Sequence, residues 1–324
     1  MTPGGRRAQT VDMSGPVDLA DTSDVAESAG AAPAPTVEVM QGREATVGQI
    51  TVRRVLPRRL RRSVGAWCFA DHMGPTLVDE THTVDIGPHP HLGLHTVTWL
   101  IAGELLHRDS LGSEQVIRPG QLNLMTAGHG VAHAEEATGH YRGQLAGVQM
   151  WVAQPEETRH GAPAFEHHPE LPRVSLGAGE ATVLVGAFGD VMSPARADTP
   201  LVGVDGVLTA GASRWPLRPD FEYAVVVLDG VVGINDKAIV PGQLGYLGEG
   251  REELTLLSTA PARVLLLGGE PFPEPLLMYW NYVARTRAEI DEAARQWNAH
   301  DPRFGDVASP LTRIPSPLPP WPSG

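Results

Sequence analysis

Short apolar runs, separated by polar loops and Pro-Gly pairs, follow one another from about residue 46 to about residue 275. The runs TVTWLIAGELL and EYAVVVLDGVV are rich in β-branched and aromatic residues. Runs of this kind that are bounded by turn residues are typical of strands. Gly (36) and Pro (29) together make up about a fifth of the chain, which favours short strands and tight turns over a helical bundle.

The second half of this β pattern repeats the first. HTVTWLIAGEL at 95–105 resembles EYAVVVLDGVV at 222–232, and RPGQLNLM at 118–125 resembles VPGQLGYL at 240–247. Two matches in the same order indicate a duplicated unit of about 110 residues. Two such units with frequent turns predict two small antiparallel barrels or sandwiches.

The pattern divides the chain into five parts. Residues 1–45 are rich in Ala, Gly, Pro, Ser, Thr and Asp, and we predict a disordered tail there. Residues 46–155 and 173–275 form the two β units, and the proline-rich residues 156–172 connect them. Residues 276–324 carry a helix and an extended tail that wraps the surface or stays loose.

One amphipathic helix is predicted near the C-terminus, in the sequence RTRAEIDEAARQW. Thr286 and Glu289 have the spacing of a capping box, which satisfies free backbone amides in the first helical turn. Apolar residues then recur at i, i+3, i+4 and i+7, as on the buried face of a surface helix. These residues are Ile290, Ala293, Ala294 and Trp297.

Charge and cysteine content narrow the class of protein. The net charge of −13 repels phosphate, so we expect no direct binding of nucleic acid. The Arg-rich stretch at 52–63 is interpreted as a solvated strand or hairpin, with a basic groove as the alternative. Cys68 is the only cysteine, and we predict that its side chain is a small buried apolar group rather than a nucleophile. A single cysteine also suits a reducing compartment, so we expect a cytoplasmic protein. No apolar run approaches the roughly 18 residues of a membrane span, and no signal peptide is recognised.

Histidines are concentrated in the first β unit, with ten of the 13 between His72 and His160. His89 and His91 are two residues apart, as are His133 and Glu135, so each pair projects to one side of its strand. If the two strands face each other across a barrel, three imidazoles and one carboxylate meet. This ligand set suits a divalent first-row metal and leaves positions open for water, substrate or dioxygen.

A single His-x-His pair is a weak indication of a metal site, because surface histidines often have the same spacing. The second β unit therefore serves as an internal control. Aligning the repeats places residues of other types opposite all four candidate ligands: Pro216, Arg218, Thr255 and Leu257. The contrast favours a metal site in the first unit alone. His95 and His129 either orient a ligand or are polar residues at a barrel mouth. His107 is interpreted as structural, in a turn-like loop.

Four stretches carry a resemblance to a known family. CFADHMGP (68–75), HPHLGLHTVTWLIAGELLHRDSLG (89–112), IRPGQLNLMTAGHGVAHAEE (117–136) and MYWNYVARTRAEI (278–290) together resemble the pirin family of the cupin superfamily. The resemblance covers about residues 46–315. It implies an all-β bicupin, in which two antiparallel cupin (jelly-roll) β-barrels stack and a short helix follows at the C-terminus.

The resemblance also implies which residues bind metal. The family motif, His-x-His followed by His-x-Glu, falls on His89, His91, His133 and Glu135, and the second barrel is expected to lack it. The metal implied is iron, as Fe(II) in the resting protein, with another divalent first-row metal as the alternative.

Two classes of function follow from the resemblance. As an enzyme, the chain resembles quercetin 2,3-dioxygenases, which open the flavonol ring with dioxygen and release carbon monoxide, and Glu135 would be the general base. As a redox-sensing regulator, it would bind a protein partner, with the Arg-rich segment as the docking face. A third possibility is an unrelated small metabolite as substrate. Five apolar residues are candidates for a pocket wall, although a core role is favoured for most of them: Leu94, Trp99, Leu124, Met125 and Met150.

Overall fold

The computed structural model describes residues 36–321, and the predicted tail before residue 36 lies outside them. The predicted all-β class is confirmed, since the described part contains 25 strands, one α-helix and one short 3-10 helix. None of its helices has the length and apolar character needed to cross a membrane. In chain order, the strands are β1 (Glu38–Gln41), β2 (Arg43–Val47), β3 (Ile50–Leu56), β4 (Trp67–Val78), β5 (Ile86–His91), β6 (Leu94–Ala102), β7 (Leu105–Asp109), β8 (Glu114–Ile117), β9 (Leu122–Thr126), β10 (Val131–Glu136), β11 (Gly143–Ala153), β12 (Ala164–His168), β13 (Arg173–Ser175), β14 (Gly179–Phe188), β15 (Val191–Met192), β16 (Leu201–Leu208), β17 (Gly211–Pro216), β18 (Glu222–Asp229), β19 (Val232–Ile234), β20 (Lys237–Ile239), β21 (Gln243–Gly248), β22 (Glu253–Ser258), β23 (Ala262–Gly269), β24 (Leu277–Tyr279) and β25 (Tyr282–Ala284).

Two barrels of the same topology are built from these strands. The first combines a seven-stranded sheet, β12-β9-β6-β11-β4-β3-β2, with a four-stranded sheet, β5-β10-β7-β8. The second combines a larger sheet, β1-β21-β18-β23-β16-β14-β13 with β15 beside β14, and a four-stranded sheet, β17-β22-β19-β20. The repeated sequences lie on β6 and β18 and on β9 and β21, which occupy equivalent places, so the internal duplication is confirmed.

The barrels stack through the apolar faces of their large sheets. One continuous buried cluster includes Trp67 and Trp99 from the first barrel and Leu265 from the second. The indole N–H of Trp67 donates to the carbonyl of Val202 at 3.1 Å, and that of Trp99 donates to the Asp205 carboxylate at 3.1 Å. Burying large aromatic side chains with their single N–H groups satisfied stabilises this interface.

Two predicted boundaries differ from the structure. β1 lies within the stretch predicted to be tail, yet it pairs with β21, and the preceding Val37 is buried in the second barrel. β12 lies within the predicted connector and pairs with β9 of the first barrel. Both segments are short edge strands whose order comes from main-chain pairing with a sheet, which local composition does not reveal.

The predicted helix is confirmed as α1 (Arg287–Asn298), and the Thr286 hydroxyl accepts from the Glu289 amide at 3.3 Å. The chain around and beyond it, including the 3-10 helix Pro302–Phe304, covers the outer face of β5 and β10. The amides of Val283 and Ile314 donate to the carbonyls of Leu92 and Pro88. A Cβ at Gly87 would lie 2.0 Å from the Thr312 carbonyl oxygen, so glycine permits this close approach.

Candidate metal centre

The candidate ligands lie on β5 and β10, which are neighbouring antiparallel strands of one sheet. His133 lies directly opposite His89, and His91 lies opposite Val131. The ligands were expected to meet if the two strands faced each other across the barrel, but the strands are paired neighbours instead. Cross-strand neighbours have Cβ atoms about 5 Å apart, so adjacent strands bring the imidazoles together without spanning the barrel.

Three histidines form a compact buried cluster. The candidate ligand atoms of His89, His91 and His133 all lie within 4.8 Å of one another. The ring centroids of His89 and His133 are 4.3 Å apart, and those of His91 and His133 are 4.9 Å apart. The Nε2 atoms of His91 and His133 approach to 3.1 Å. Each residue is at most 2% exposed, so the cluster is shielded from bulk water.

The Nδ1 atom of each ring is engaged away from the centre of the cluster. Nδ1 of His89 donates to the carbonyl of Gly87 at 2.9 Å, and Nδ1 of His91 donates to the carbonyl of Asn281 at 3.2 Å. A neutral imidazole carries only one N–H, so both rings present a bare Nε2. Partners of this kind fix the tautomer and orientation of metal-binding histidines.

Burial keeps these imidazoles neutral. Loss of hydration lowers the pKa of His89 to about 4 and holds the pKa values of His91 and His133 well below the ordinary range. Nε2 of His91 is bare and lies 3.1 Å from Nε2 of His133, so the two rings are close enough to share one ion. The donor set therefore fits a divalent metal bound through imidazole.

Glu135 lies on the wall of the same cavity, outside the three-histidine cluster. It follows His133 by two residues, but an irregularity in the β5–β10 pairing places it opposite Ile86. Burial raises the pKa of the Glu135 carboxyl to about 7. Among the described residues, no cationic side chain forms an ion pair with it. The structure thus brings three predicted ligands together and places the fourth beside them, where Glu135 stays a predicted ligand.

An apolar cavity of about 40 Å³ adjoins the histidines. Its wall includes a buried ion pair, in which the Arg54 guanidinium donates to both Asp71 oxygens at 2.8 Å. The interpretation of the Arg-rich stretch as a solvated strand is therefore wrong for Arg54, which is 0% exposed. The apolar lining consists of Val47, Ile50, Val52, Phe69, Met73, Val84, Ile86, Leu105 and Trp151.

The five apolar candidates for the pocket wall are core residues, which was the favoured interpretation for most of them. Trp99, Leu124 and Met150 pack between the barrels, and Leu94 and Met125 belong to another buried cluster. Strand residues alternate between the two faces of a sheet, so Trp99, Leu124 and Met150 point away from the cavity. Leu94 and Met125 pack in the same cluster as the cavity-wall residues Phe69 and Trp151.

His107 contacts the histidine cluster, which the sequence interpretation missed. It lies on β7 rather than in a loop, and its Nδ1 atom is 3.4 Å from Nδ1 of His133. Its Nε2 atom is 3.1 Å from the carboxylate of Asp109. The i, i+2 spacing in HRD was the available indication, since it places both residues on one face of a strand. His95 contacts Thr126 and Asp198, and neither it nor His129 joins the cluster.

The second barrel fills the equivalent space with core residues. Trp215 pairs with Leu254 and Ser213 pairs with Leu256, and all four are buried. Burial alternates along both strands, so Pro216, Thr255 and Leu257 lie on the opposite, outer face. The sequence alignment of the repeats was therefore out of register. Within residues 36–321, no other cluster of three potential ligands occurs.

Family models match both barrels. The one described as Pirin covers residues 49–152, and the Pirin C-terminal cupin domain covers residues 204–305. A Pseudomonas aeruginosa protein named "Putative quercetin 2,3-dioxygenase PA1205" is 46% identical over 276 residues, which are 85% of this chain and 87% of the relative. The chain belongs to the pirin family.

This pirin also resembles solved structures. The crystal structure of quercetin 2,3-dioxygenase from Acinetobacter baumannii is 44% identical with a TM-score of 0.85, covering 89% of this chain and 97% of that one. The Escherichia coli pirin YhhW, solved in complex with nickel(II), has a TM-score of 0.59, covers 73% of this chain and 100% of its own, and is 16% identical. The second match shows the fold alone. A pirin-like protein of Caulobacter vibrioides is 34% identical over 276 residues, 83% of this chain and 95% of the relative.

Proposed function

We propose that this pirin is a metal-dependent dioxygenase of the quercetin 2,3-dioxygenase type. The observation that carries the proposal is the convergence of three neutral imidazoles beside an apolar cavity, with the Glu135 carboxyl on its wall. Relatives that are 44% and 46% identical are named for this activity, which supports the substrate class. The fold alone would not support it, because one fold hosts many chemistries.

In this proposal, His89, His91, His133 and Glu135 hold a divalent metal, Fe(II) or another first-row ion. When bound, the metal supplies a coordination site for the flavonol oxygen and for dioxygen. Glu135 also serves as the general base that accepts the proton of the flavonol 3-hydroxyl. Its carboxyl lies on the cavity wall, where it can accept that proton from a bound substrate.

The remaining cavity residues position the substrate and exclude water. The apolar side chains from β3, β4 and β5 contact the flat rings, and the Arg54–Asp71 pair holds its part of the wall rigid through two hydrogen bonds. The cavity measures about 40 Å³. Pockets for drug-sized ligands are usually about 300–1,000 Å³, so flavonol binding requires the wall to move.

The direct test uses metal-free protein that is loaded with Fe(II) under anaerobic conditions. Quercetin and air are added, and the loss of flavonol absorbance and the release of carbon monoxide are followed. We expect turnover by the wild type, and none by His91→Ala or Glu135→Ala. His129→Ala, which changes an exposed residue outside the cluster, is the matched control. Absence of turnover with Fe, Mn, Co, Ni and Cu in turn would overturn the proposal.

A regulatory role is the second candidate, and one surface feature favours it. The loop after β3 exposes Arg59 and 76% of Leu60, on a chain whose net charge is −13. A basic loop with an apolar tip suits an acidic protein partner. This role would be favoured if the protein bound such a partner only with metal present and did not turn over quercetin. Leu60→Asp should abolish that binding. We also infer a cytoplasmic location, because the single cysteine forms no disulfide.

A further inference from the structure

We propose that Asp109 and His107 form a hydrogen-bonded relay that sets the tautomer and orientation of His133. Both are positioning residues, and the inference rests on the metal centre proposed above. The chain of contacts runs from the Asp109 carboxylate through both nitrogens of His107 to Nδ1 of His133. Its far end is the Nε2 atom of His133, which faces the cluster.

The Asp109 carboxylate is held in one orientation. Its Oδ1 atom accepts from the backbone amides of Leu111 and Ser113, both at 2.9 Å. Its Oδ2 atom is left to face Nε2 of His107 at 3.1 Å. Asp109 is 2% exposed, so water does not compete for these contacts. An ionised carboxylate only accepts hydrogen bonds, and Nε2 of His107 must therefore carry the proton.

This assignment fixes the next nitrogen along the chain. A His107 ring with its single proton on Nε2 has a bare Nδ1, and this atom lies 3.4 Å from Nδ1 of His133. His133 then donates from Nδ1 and keeps the Nε2 lone pair for a metal. The His107 ring is also stacked on Phe165, with centroids 4.4 Å apart and planes at 13°. Stacking prevents the ring from turning out of the chain.

His133 differs in this respect from the other two histidines. His89 and His91 donate to backbone carbonyls, which are neutral and can only accept hydrogen bonds. Only His133 is connected through a second imidazole to a negative charge. A carboxylate at the end of such a chain makes the ligand a stronger donor, and losing such outer partners typically costs about 10–100-fold in metal affinity.

Asp109→Asn tests the relay by reversing the direction of its hydrogen bonds. The two backbone amides continue to hold the side-chain oxygen, so the new NH₂ group faces His107 Nε2 and donates to it. His107 must then carry its proton on Nδ1, and His133 must accept there. The His133 proton moves to Nε2, where it points at the cluster and weakens metal binding. The change is nearly isosteric, so packing is retained.

The experiment measures the affinity of the full chain for Co(II) by chelator competition, together with the visible spectrum of the Co(II) protein. We expect Asp109→Asn to bind about 10–100-fold more weakly, with an altered Co(II) spectrum. Asp198→Asn is the matched control, because Asp198 contacts His95 at the same 3.1 Å and that pair ends at Thr126. This control should match the wild type in both measurements.

A second pair of variants decides the question if Asp109→Asn fails to fold. His107→Gln offers an amide oxygen to His133 and should keep Co(II) affinity within a few-fold, whereas His107→Phe keeps the stacking but offers no acceptor. Equal Co(II) binding by the wild type and Asp109→Asn, or by the Gln and Phe variants, would overturn the relay. Failure of the wild type to bind Co(II), Fe(II) or Ni(II) would overturn the metal centre itself.

Discussion

Nε2 of His91 lies 3.1 Å from Nε2 of His133, although Nδ1 of each ring is already engaged elsewhere. The carbonyls of Gly87 and Asn281 and the His107 ring hold the three imidazoles in one arrangement. A preorganised site loses little entropy on binding.

Metal binding should therefore stabilise the fold measurably. At a free Co(II) concentration 100 times Kd, we expect the free energy of unfolding to rise by about 2.7 kcal/mol. His91→Ala should abolish this increase, and His129→Ala should retain it. Denaturant titration with and without Co(II) measures the effect. An increase of equal size in His91→Ala would show that the metal binds elsewhere.

Glu135 should destabilise the metal-free protein at alkaline pH. Its pKa rises from the ordinary 4.5 to about 7 on folding, so the folded state holds its proton more tightly than the unfolded state. The resulting stability is present below pH 4.5 and is lost as the pH rises through 7. Glu135→Gln should therefore be more stable than the wild type at pH 8, by up to about 3 kcal/mol, and nearly equal at pH 5.

Denaturation in the presence of a chelator at both pH values checks this expectation. Glu114→Gln, which changes an exposed carboxylate, is the matched control and should show no such difference. An equal gain in stability for Glu135→Gln at pH 5 and at pH 8 would mean that burial does not shift the pKa of the Glu135 carboxyl.

Val84 should limit the size of the substrate. It lines both the metal cavity and a second cavity of about 260 Å³. Val84→Ala removes two methyl groups from the shared wall and joins the two spaces. We expect kcat/KM for quercetin to rise about tenfold, since small changes in an apolar pocket are worth about 1–3 kcal/mol. Steady-state kinetics test this, with the half-exposed Val231→Ala as control. An unchanged kcat/KM would mean that the substrate does not cross this wall.

Trp215 should matter for stability and leave metal binding unaffected. It is 0% exposed and fills the second barrel beside Phe188, at a ring distance of 5.5 Å. Trp215→Ala should lower the free energy of unfolding by about 3–5 kcal/mol. The Co(II) affinity of the folded variant should equal that of the wild type, because the two sites lie in different barrels. A loss of affinity in the folded variant would show that the barrels are coupled.

Several features could be predicted from local sequence because their physical causes are local. The capped helix α1 follows from Thr286 and its apolar stripe, and the duplication follows from two matching strand-turn segments. The common orientation of His89 and His91 could also be predicted, since strand alternation alone puts both imidazoles on one face. Arg54 and β12 could not be predicted in this way. A buried arginine depends on Asp71, and an edge strand depends on β9.

The sequence by itself determined the β class, the two-fold repeat and which residue types can bind a metal, because these depend on period, composition and chemistry. Only the tertiary structure decided that β5 and β10 are neighbours, that Glu135 lies outside the histidine cluster, and that His107 joins Asp109 to His133. These relationships depend on strand order and register. They are fixed by contacts between segments that are distant along the chain, and no local pattern encodes them.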